Sequence, residues 1–163
     1  MALSPQHEVE IIGPAKSGDI WYPMKNMGIS IRPYPWKRYP FFISTIRKMI
    51  KEIDADILIA CKLRPTSFGI AIIKKWASGV PVIVDIDDWE LGFLYHSGFL
   101  SKVGRFLNFS NPNGLPYTWL MERLTGLADS IVVSNRFLQN KFSGPLVYHC
   151  RDTSILDPDK FDS

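Results

Sequence analysis

A short apolar run that ends in a group of acids is the feature that most constrains the fold. Residues 82–84 are Val-Ile-Val, they follow a turn at residues 79–81, and four acids come within the next six positions. A continuous apolar run of this length is typical of a parallel strand that is buried on both faces. Ligands collect beyond the carboxyl ends of such strands. We therefore expect a site at Asp85, Asp87, Asp88 and Glu90. The alternative is that one of these acids caps the following helix and that the others are only solvated.

Strand and helix patterns alternate along the chain at the spacing of strand-helix-strand units. This order predicts an α/β protein with a mainly parallel sheet, right-handed crossovers and helices on both faces. Residues 1–150 are expected to form one domain, and residues 151–163 a polar tail. Gly13 and Pro14 are expected to end the first strand. The predicted strands are residues 8–12, 29–31, 56–61, 82–85, 129–133 and 146–149, and the main predicted helices are residues 41–53, 65–77, 116–127 and 135–142.

Composition limits the function classes that need to be considered. A net charge of +3 is too small to favour a nucleic-acid binder, although weak attraction to anionic lipids is compatible with it. Cys61 and Cys150 lie at predicted strand ends without a CxxC partner, which favours reduced, buried thiols in a cytoplasmic protein. The longest apolar runs, of about six residues, are far below the roughly 18 needed to span a bilayer. Neither a metal site nor a bound cofactor is expected.

Further candidate site residues follow the other predicted strands. Lys62, Arg64, Thr66 and Ser67 lie in a loop that opens a helix, where two cations and backbone amides suit an anionic ligand, while a solvated loop with an ordinary cap explains them equally. Ser134 follows a strand and, with Asn135, is also a natural cap of the next helix. His149 is either a core histidine or, together with Arg151, part of a cleft. Aromatic residues between positions 21 and 39 suit a sugar, a lipid surface or packing under a loop.

The Asp85-Ile86-Asp87 triplet also resembles the first motif of haloacid-dehalogenase-like phosphatases. In that family one aspartate attacks phosphorus, the aspartate two positions later transfers the proton, and magnesium neutralises the phosphate. Ser134 matches the second motif of that family. Trp89 stands where a small hydroxyl residue is expected, however, and the triplet lies in the middle of the chain. A Mg-dependent phosphatase therefore remains an alternative.

Three segments in the same order resemble the acceptor-side, N-terminal half of a family-4 glycosyltransferase with the GT-B architecture. The first is residues 56–90, a strand, basic loop and helix that lead into Gly-Val-Pro-Val-Ile-Val-Asp-Ile-Asp-Asp-Trp-Glu. The second, residues 127–138, has the alanine-aspartate, strand, serine and helix order of that family. The third, residues 147–153, is similar to the strand and loop before the interdomain linker. Together they cover about two thirds of the chain.

This resemblance implies a Rossmann-like three-layer sandwich and a retaining transfer of a hexosyl group from a nucleotide sugar. Asp87 falls where many relatives have a histidine near the reacting sugar, and Asp88 where they commonly have an aspartate, so these two acids are the implied catalytic residues. The implied acceptor, a sugar or a lipid-linked one, would meet Trp89 and Glu90 beside the residues of the basic loop, together with Ser134, His149 and Arg151. Contact with a membrane surface is compatible with this.

The resemblance also implies two missing parts. The first central strand of the family is expected to be absent, so that two unpaired strand edges lie inside the fold and are closed by neighbours or by a second copy in a homodimer. The C-terminal domain that binds the nucleotide sugar is expected to be absent as well. The isolated chain is therefore predicted to be inactive, and a binding module without catalysis is the remaining alternative.

Overall fold

A computed structural model describes residues 6–16, 28–95 and 104–148. The protein is mixed α/β, and all of its paired strands are parallel, as expected for a Rossmann-like fold. The strands are β1 (Glu10–Ala15), β2 (Ser30–Pro35), β3 (Leu58–Cys61), β4 (Val82–Ile86) and β5 (Ser130–Val133). The helices are α1 (Phe42–Glu52), α2 (Ile70–Ser78), α3 (Gly92–Tyr95), α4 (Leu115–Arg123) and α5 (Arg136–Phe142), with a π turn at Pro65–Gly69 and a 3-10 turn at Thr125–Leu127.

The five strands form two sheets rather than one. β1 pairs with β2, and β3, β4 and β5 pair in that order. Within the described residues no ladder joins β1 to β3. Ile12 of β1 and Leu58 of β3 nevertheless pack against one apolar cluster, which consists of Tyr34, Phe42, Met49, Ile53 and Ile70. Side-chain packing therefore connects the two sheets.

Proline does not end the first two strands, contrary to the prediction from sequence. β1 continues through Gly13, and Pro14 pairs with Tyr34 of β2. β2 in turn continues past Pro33. Proline lacks the N–H that a central strand needs, but a strand with only one hydrogen-bonded neighbour tolerates it. The two-stranded sheet consists only of such edge strands, so its prolines are compatible with pairing.

Helices α2, α4 and α5 cover one face of the three-stranded sheet. Ala71, Met121 and Leu138 from these helices join the core with Val82 and Val84 of β4. The apolar spacing of Ile70, Ile73 and Trp76 predicts that they form the inward face of α2. Ile70 is buried as predicted, whereas Ile73 and Trp76 are 40% and 68% exposed, so the prediction was wrong for those two.

Asp129 connects the start of β5 to the start of β4. Its Oδ2 accepts a hydrogen bond of 2.7 Å from the backbone N–H of Val82, and its Oδ1 lies 2.8 Å from Lys75 Nζ. The hydrogen bond from Lys75, followed by the one from Val82, lowers the pKa of the Asp129 carboxyl. These contacts fix the relative positions of the strands whose opposite ends carry the candidate site.

Other expectations meet the structure only in part. Of the strand predicted at 146–149, the described residues 146–148 form a single bridge, between Leu146 and Val133. Cys61 is a free cysteine but is exposed, contrary to the prediction of a buried thiol, because it faces away from the helices on β3, next to Asp85 in the ladder. His149, Cys150 and Arg151 lie outside the described residues. In the described part of the chain, no helix combines the length and apolar character that crossing a membrane requires.

Candidate functional site

Five charged side chains meet at the carboxyl ends of β3 and β4. Lys62 directly follows β3, and Arg64 comes two residues later. Asp87 directly follows β4, and Asp88 and Glu90 belong to the same turn. The parallel register pairs Cys61 with Asp85, so the two strands end side by side. We call Lys62, Arg64, Asp87, Asp88 and Glu90 the charged cluster.

The ammonium of Lys62 lies at the centre of this cluster. Lys62 Nζ is 2.9 Å from Asp88 Oδ2, 3.6 Å from Asp87 Oδ2 and 3.7 Å from Glu90 Oε1. The hydrogen bond to Asp88 is the main reason that the pKa of Lys62 is raised; partial burial opposes it, and the charges of Asp87 and Glu90 support it. Lys62 is therefore firmly cationic at neutral pH and holds three acids near one point.

Glu90 is the most buried member of the cluster. Its side chain is only 9% exposed, and its Oε2 accepts a hydrogen bond of 2.6 Å from Arg64. Two carboxylate oxygens in the cluster, Asp87 Oδ1 and Glu90 Oε1, are buried and accept no hydrogen bond from any described group. Buried polar atoms nearly always have a partner. The cluster thus contains two buried carboxylate oxygens whose hydrogen-bonding capacity no described group uses.

The backbone at Lys62 is held in an unusual conformation. Its φ of 74° lies in the left-handed region, which non-glycine residues rarely adopt. Lys62 N–H donates to the carbonyl of Asp85, and the Lys62 carbonyl accepts from Arg64 N–H, both at 2.9 Å. These two bonds direct the chain away from β3 and towards the turn after β4. Backbone strain of this kind persists where the surrounding structure over-determines it, often at functional sites.

Ser134 lies beside the cluster and acts on the backbone of Asp87. Ser134 Oγ donates to the Asp87 carbonyl at 2.9 Å, and Ser134 N–H donates to Ile86 O at 3.3 Å. The cap of α5 is Asn135, whose Oδ1 accepts from Leu138 N–H at 2.9 Å. Asn135 therefore caps α5, whereas Ser134, the other cap candidate, joins the end of β5 to the turn after β4.

Thr66 and Ser67 do not cap the helix that they open. The π turn begins at Pro65 after Arg64, and no side-chain hydrogen bond caps it. Thr66 Oγ1 instead lies 2.7 Å from Asn113 Oδ1, which connects the loop after β3 to the segment before α4. The sequence did not predict the contact between Thr66 and Asn113. The two residues are 47 positions apart, and no sequence pattern connects them.

Trp89 is directed towards the helices rather than into the cluster. Its Nε1 donates to Glu122 Oε2 at 3.1 Å, Lys141 Nζ lies 4.6 Å from its ring centroid, and the ring of Phe137 lies 5.7 Å away. Lys141 also pairs with Glu122 at 2.9 Å. These contacts fix the turn after β4 against α4 and α5. In this structure Trp89 therefore supports the turn. Glu122 and Lys141 were not found from the sequence, where they look like ordinary polar helix residues.

The remaining candidates divide between described and undescribed parts of the chain. His149 and Arg151 lie outside the described residues, as do Trp21 and Tyr22. Over residues 6–16, 28–95 and 104–148, no group of three or more His, Cys, Asp or Glu side chains has the arrangement of a metal site. In the charged cluster the position among the carboxylates is occupied by Lys62 Nζ.

The cluster can therefore bind a ligand that brings hydrogen-bond donors to the partly exposed carboxylates of Asp87 and Asp88. Its two cations keep three acids in place without neutralising all of them. Comparison of the sequence with protein-family models finds no match, and comparison with curated proteins finds none either.

Proposed function

We propose that this chain is the acceptor-side half of a retaining, nucleotide-sugar-dependent glycosyltransferase. The observation that carries the proposal is the pair of partly exposed carboxylates, Asp87 and Asp88, which Lys62 holds at the ends of β3 and β4. Hydroxyl groups of a sugar are hydrogen-bond donors of suitable size for carboxylates at the exposed side of this turn, and hydrogen bonds to charged groups are the stronger ones. Their position at the carboxyl ends of parallel strands is where α/β proteins bind ligands.

The members of the charged cluster have distinct proposed roles. Asp87 accepts a hydrogen bond from the reacting hydroxyl of the acceptor, and Asp88, which is partly exposed, faces the sugar that is transferred. Lys62 and Arg64 hold the acids in place. Thr66, Ser67 and Ser134 shape the two loops around them. The sequence resemblance supports the donor side of the proposal, in which a C-terminal domain outside this sequence binds the nucleotide sugar.

The acceptor in this proposal is a sugar, free or attached to a lipid. A lipid-linked acceptor would bring the protein to the membrane surface from the cytoplasm, where the free thiol of Cys61 stays reduced. Without the donor-binding domain, the isolated chain binds acceptor but does not transfer sugar.

Binding of glycosides to the isolated chain tests the acceptor role. Saturation-transfer NMR with a panel of alkyl hexosides should identify a ligand whose affinity falls about tenfold or more in Asp87→Ala, since hydrogen bonds to charged groups contribute that much. Asp56→Ala, on the exposed segment before β3, is the matched control and should bind normally. Failure of every hexoside to bind, or equal binding by both variants, would contradict the proposal.

Turnover measurements separate the alternatives. Transfer from a nucleotide sugar by the isolated chain would show that it is not half of an enzyme. Magnesium-dependent release of phosphate from an aryl phosphate would favour the phosphatase, although Lys62 Nζ lies among the carboxylates at which that enzyme would bind its metal. A coding region with no donor-binding domain in frame or in an adjacent gene would favour a non-catalytic binding module.

A further inference from the structure

A second concave site lies beyond the carboxyl ends of β1 and β2. The cavity has a volume of about 300 Å³. It is separate from the charged cluster in composition, since its lining contains no acid and none of the cluster residues. The cavity is lined by Lys16, Trp36, Arg38, Asn108, Asn111 and Asn113.

Backbone hydrogen bonds hold the three segments of this cavity together. Trp36 N–H donates to the carbonyl of Ala15 at 3.1 Å, which joins the chain after β2 to the end of β1. Tyr39 N–H donates to the carbonyl of Ser110 at 2.8 Å, and the ring of Tyr39 lies 5.2 Å from that of Tyr117. These contacts position the walls of the cavity.

The three asparagines use their oxygens inside the wall. Asn111 Oδ1 accepts from the backbone N–H of Asn113 at 3.1 Å, which fixes the orientation of its amide. Asn113 Oδ1 lies 2.7 Å from Thr66 Oγ1, and Asn108 Oδ1 lies 3.0 Å from Ser110 Oγ. Because the amide oxygens are engaged, the amide NH₂ groups are the ones that can contact a ligand. The NH₂ groups of Asn111 and Asn113 donate no hydrogen bond to a described residue.

The cavity is also cationic. Lys16 Nζ lies 5.6 Å from the ring centroid of Trp36, and neither Lys16 nor Arg38 forms an ion pair with a described residue. The segments that form the cavity, residues 13–16, 33–41 and 104–114, contain four lysines and arginines and no acid. An ammonium, a guanidinium and several amide donors therefore face one space without a neutralising carboxylate in those segments.

We propose that this cavity binds a phosphate group. A phosphate monoester carries a charge of about −1.5 to −2 at pH 7 and three strong acceptor oxygens, which matches two cations and a set of N–H donors. The fork of an arginine pairs with phosphate in two parallel hydrogen bonds. Trp36 provides an apolar wall for the group to which the phosphate is attached.

This site does not depend on the proposed glycosyltransferase function. The phosphate contacts lie beyond β1 and β2, whereas the acceptor contacts lie beyond β3 and β4. Loss of phosphate binding with hexoside binding intact, or the reverse, would tell the two proposals apart.

Titration of the full chain with inorganic phosphate and with glycerol phosphate, followed by calorimetry and ³¹P NMR, tests the proposal. Arg38→Gln should weaken binding about tenfold or more, while Arg47→Gln, the same change at an exposed position on α1, should not. Asn111→Asp is the sharper variant. It keeps the oxygen that accepts from Asn113 N–H, so the loop is retained, but it replaces the donor by a negative charge and should abolish binding.

Two sources of the phosphate are distinguished by adding vesicles. If the natural ligand is a soluble ester, glycerol phosphate should bind and phosphatidylcholine vesicles containing phosphatidic acid should not. If it is a lipid headgroup, the protein should cosediment with those vesicles in an Arg38-dependent way. Either result supports a phosphate site. A response that does not saturate, or one that Arg47→Gln reduces as much as Arg38→Gln, would show only non-specific attraction and would overturn the proposal.

Discussion

Ser134 Oγ donates a hydrogen bond of 2.9 Å to the backbone carbonyl of Asp87, and this bond joins the ends of β5 and β4. Ser134 is buried, with only 7% of its surface exposed. The bond therefore satisfies a carbonyl at the turn that carries three acids of the charged cluster. It makes the placement of Asp87 depend on a strand that contributes no charge to the site.

Ser134→Ala should destabilise the protein and disturb the turn. We expect a loss of about 1–3 kcal/mol, because the Asp87 carbonyl would lose its buried donor. Urea unfolding measures this loss. Ser78→Ala, which removes an exposed hydroxyl that bonds to Lys74 O at 3.0 Å, is the matched control and should change stability by less than about 0.5 kcal/mol. Equal effects of the two changes would show that the contact with Asp87 is energetically unimportant.

Lys62→Met should reveal the contribution of the central ammonium. Methionine keeps a Cβ and similar length, so backbone strain is retained while the charge is lost. Because Lys62 and Asp88 are both partly exposed, we expect a modest loss of about 1 kcal/mol at pH 7. Lys51→Met, at an exposed position on α1, is the control.

The pH dependence of the stability difference between wild type and Lys62→Met has a definite sign. The pKa of Lys62 is raised in the folded protein. Its stabilising effect is therefore complete below the unfolded pKa of about 10.4 and is lost as the pH rises through the higher folded value. Urea midpoints of wild type and Lys62→Met should converge only in strongly alkaline solution. Convergence near pH 7 would contradict this assignment.

Gly92→Ala should displace Trp89. A Cβ at Gly92 would lie 2.5 Å from Trp89 Cε3, so the indole must move away from Glu122 and Lys141. We expect a loss of about 1–3 kcal/mol from overpacking, together with a change in tryptophan fluorescence. A Cβ at Gly126 meets nothing within 4 Å, so Gly126→Ala should leave both properties nearly unchanged. An unchanged spectrum in Gly92→Ala would refute the close approach.

Ile59→Lys should reduce self-association. Ile59 on β3 and Ile57 just before it are 49% and 55% exposed, and β3 has a hydrogen-bonded neighbour on only one side in the described sheet. Apolar edge strands pair with other chains, and lysine on an edge prevents it. We predict that wild type dimerises with rising concentration in sedimentation velocity and that Ile59→Lys remains monomeric. Ile43→Lys, on α1 and 42% exposed, should behave as wild type. A wild-type monomer at all concentrations would exclude the homodimer.

Much of the fold followed from local pattern. The apolar stripe of α1 and the continuous run at β4 are signals that a single segment carries, and both elements formed close to the predicted bounds. The prolines of β1 and β2 misled the prediction because their effect depends on how many neighbours a strand has. That number is a property of the sheet. The inward face of α2 was predicted correctly only at Ile70, because the face that a helix buries depends on the elements packed around it.

The candidate site was predictable where a general rule applied. The rule that parallel strands end at one edge of a sheet brought Lys62 and Arg64 to Asp87, Asp88 and Glu90, and the ion pairs agree with it. It did not show that Trp89 turns towards Glu122, because that contact depends on how α4 is placed. Long-range side-chain contacts of this kind are set by packing, which one sequence does not display.

The left-handed backbone at Lys62 has a steric cost at the same position that supplies the central ammonium of the charged cluster. Glycine adopts this conformation without the steric cost that a Cβ imposes. Lys62→Gly would relax the backbone, but the three acids would lose the ammonium that gathers them. Glycine thus fits the local backbone best, but it would remove the contacts that hold the three acids together. Lysine at position 62 therefore combines a steric cost in the backbone with a gain from its ion pairs, and Lys62→Gly measured beside Lys62→Met would separate the two.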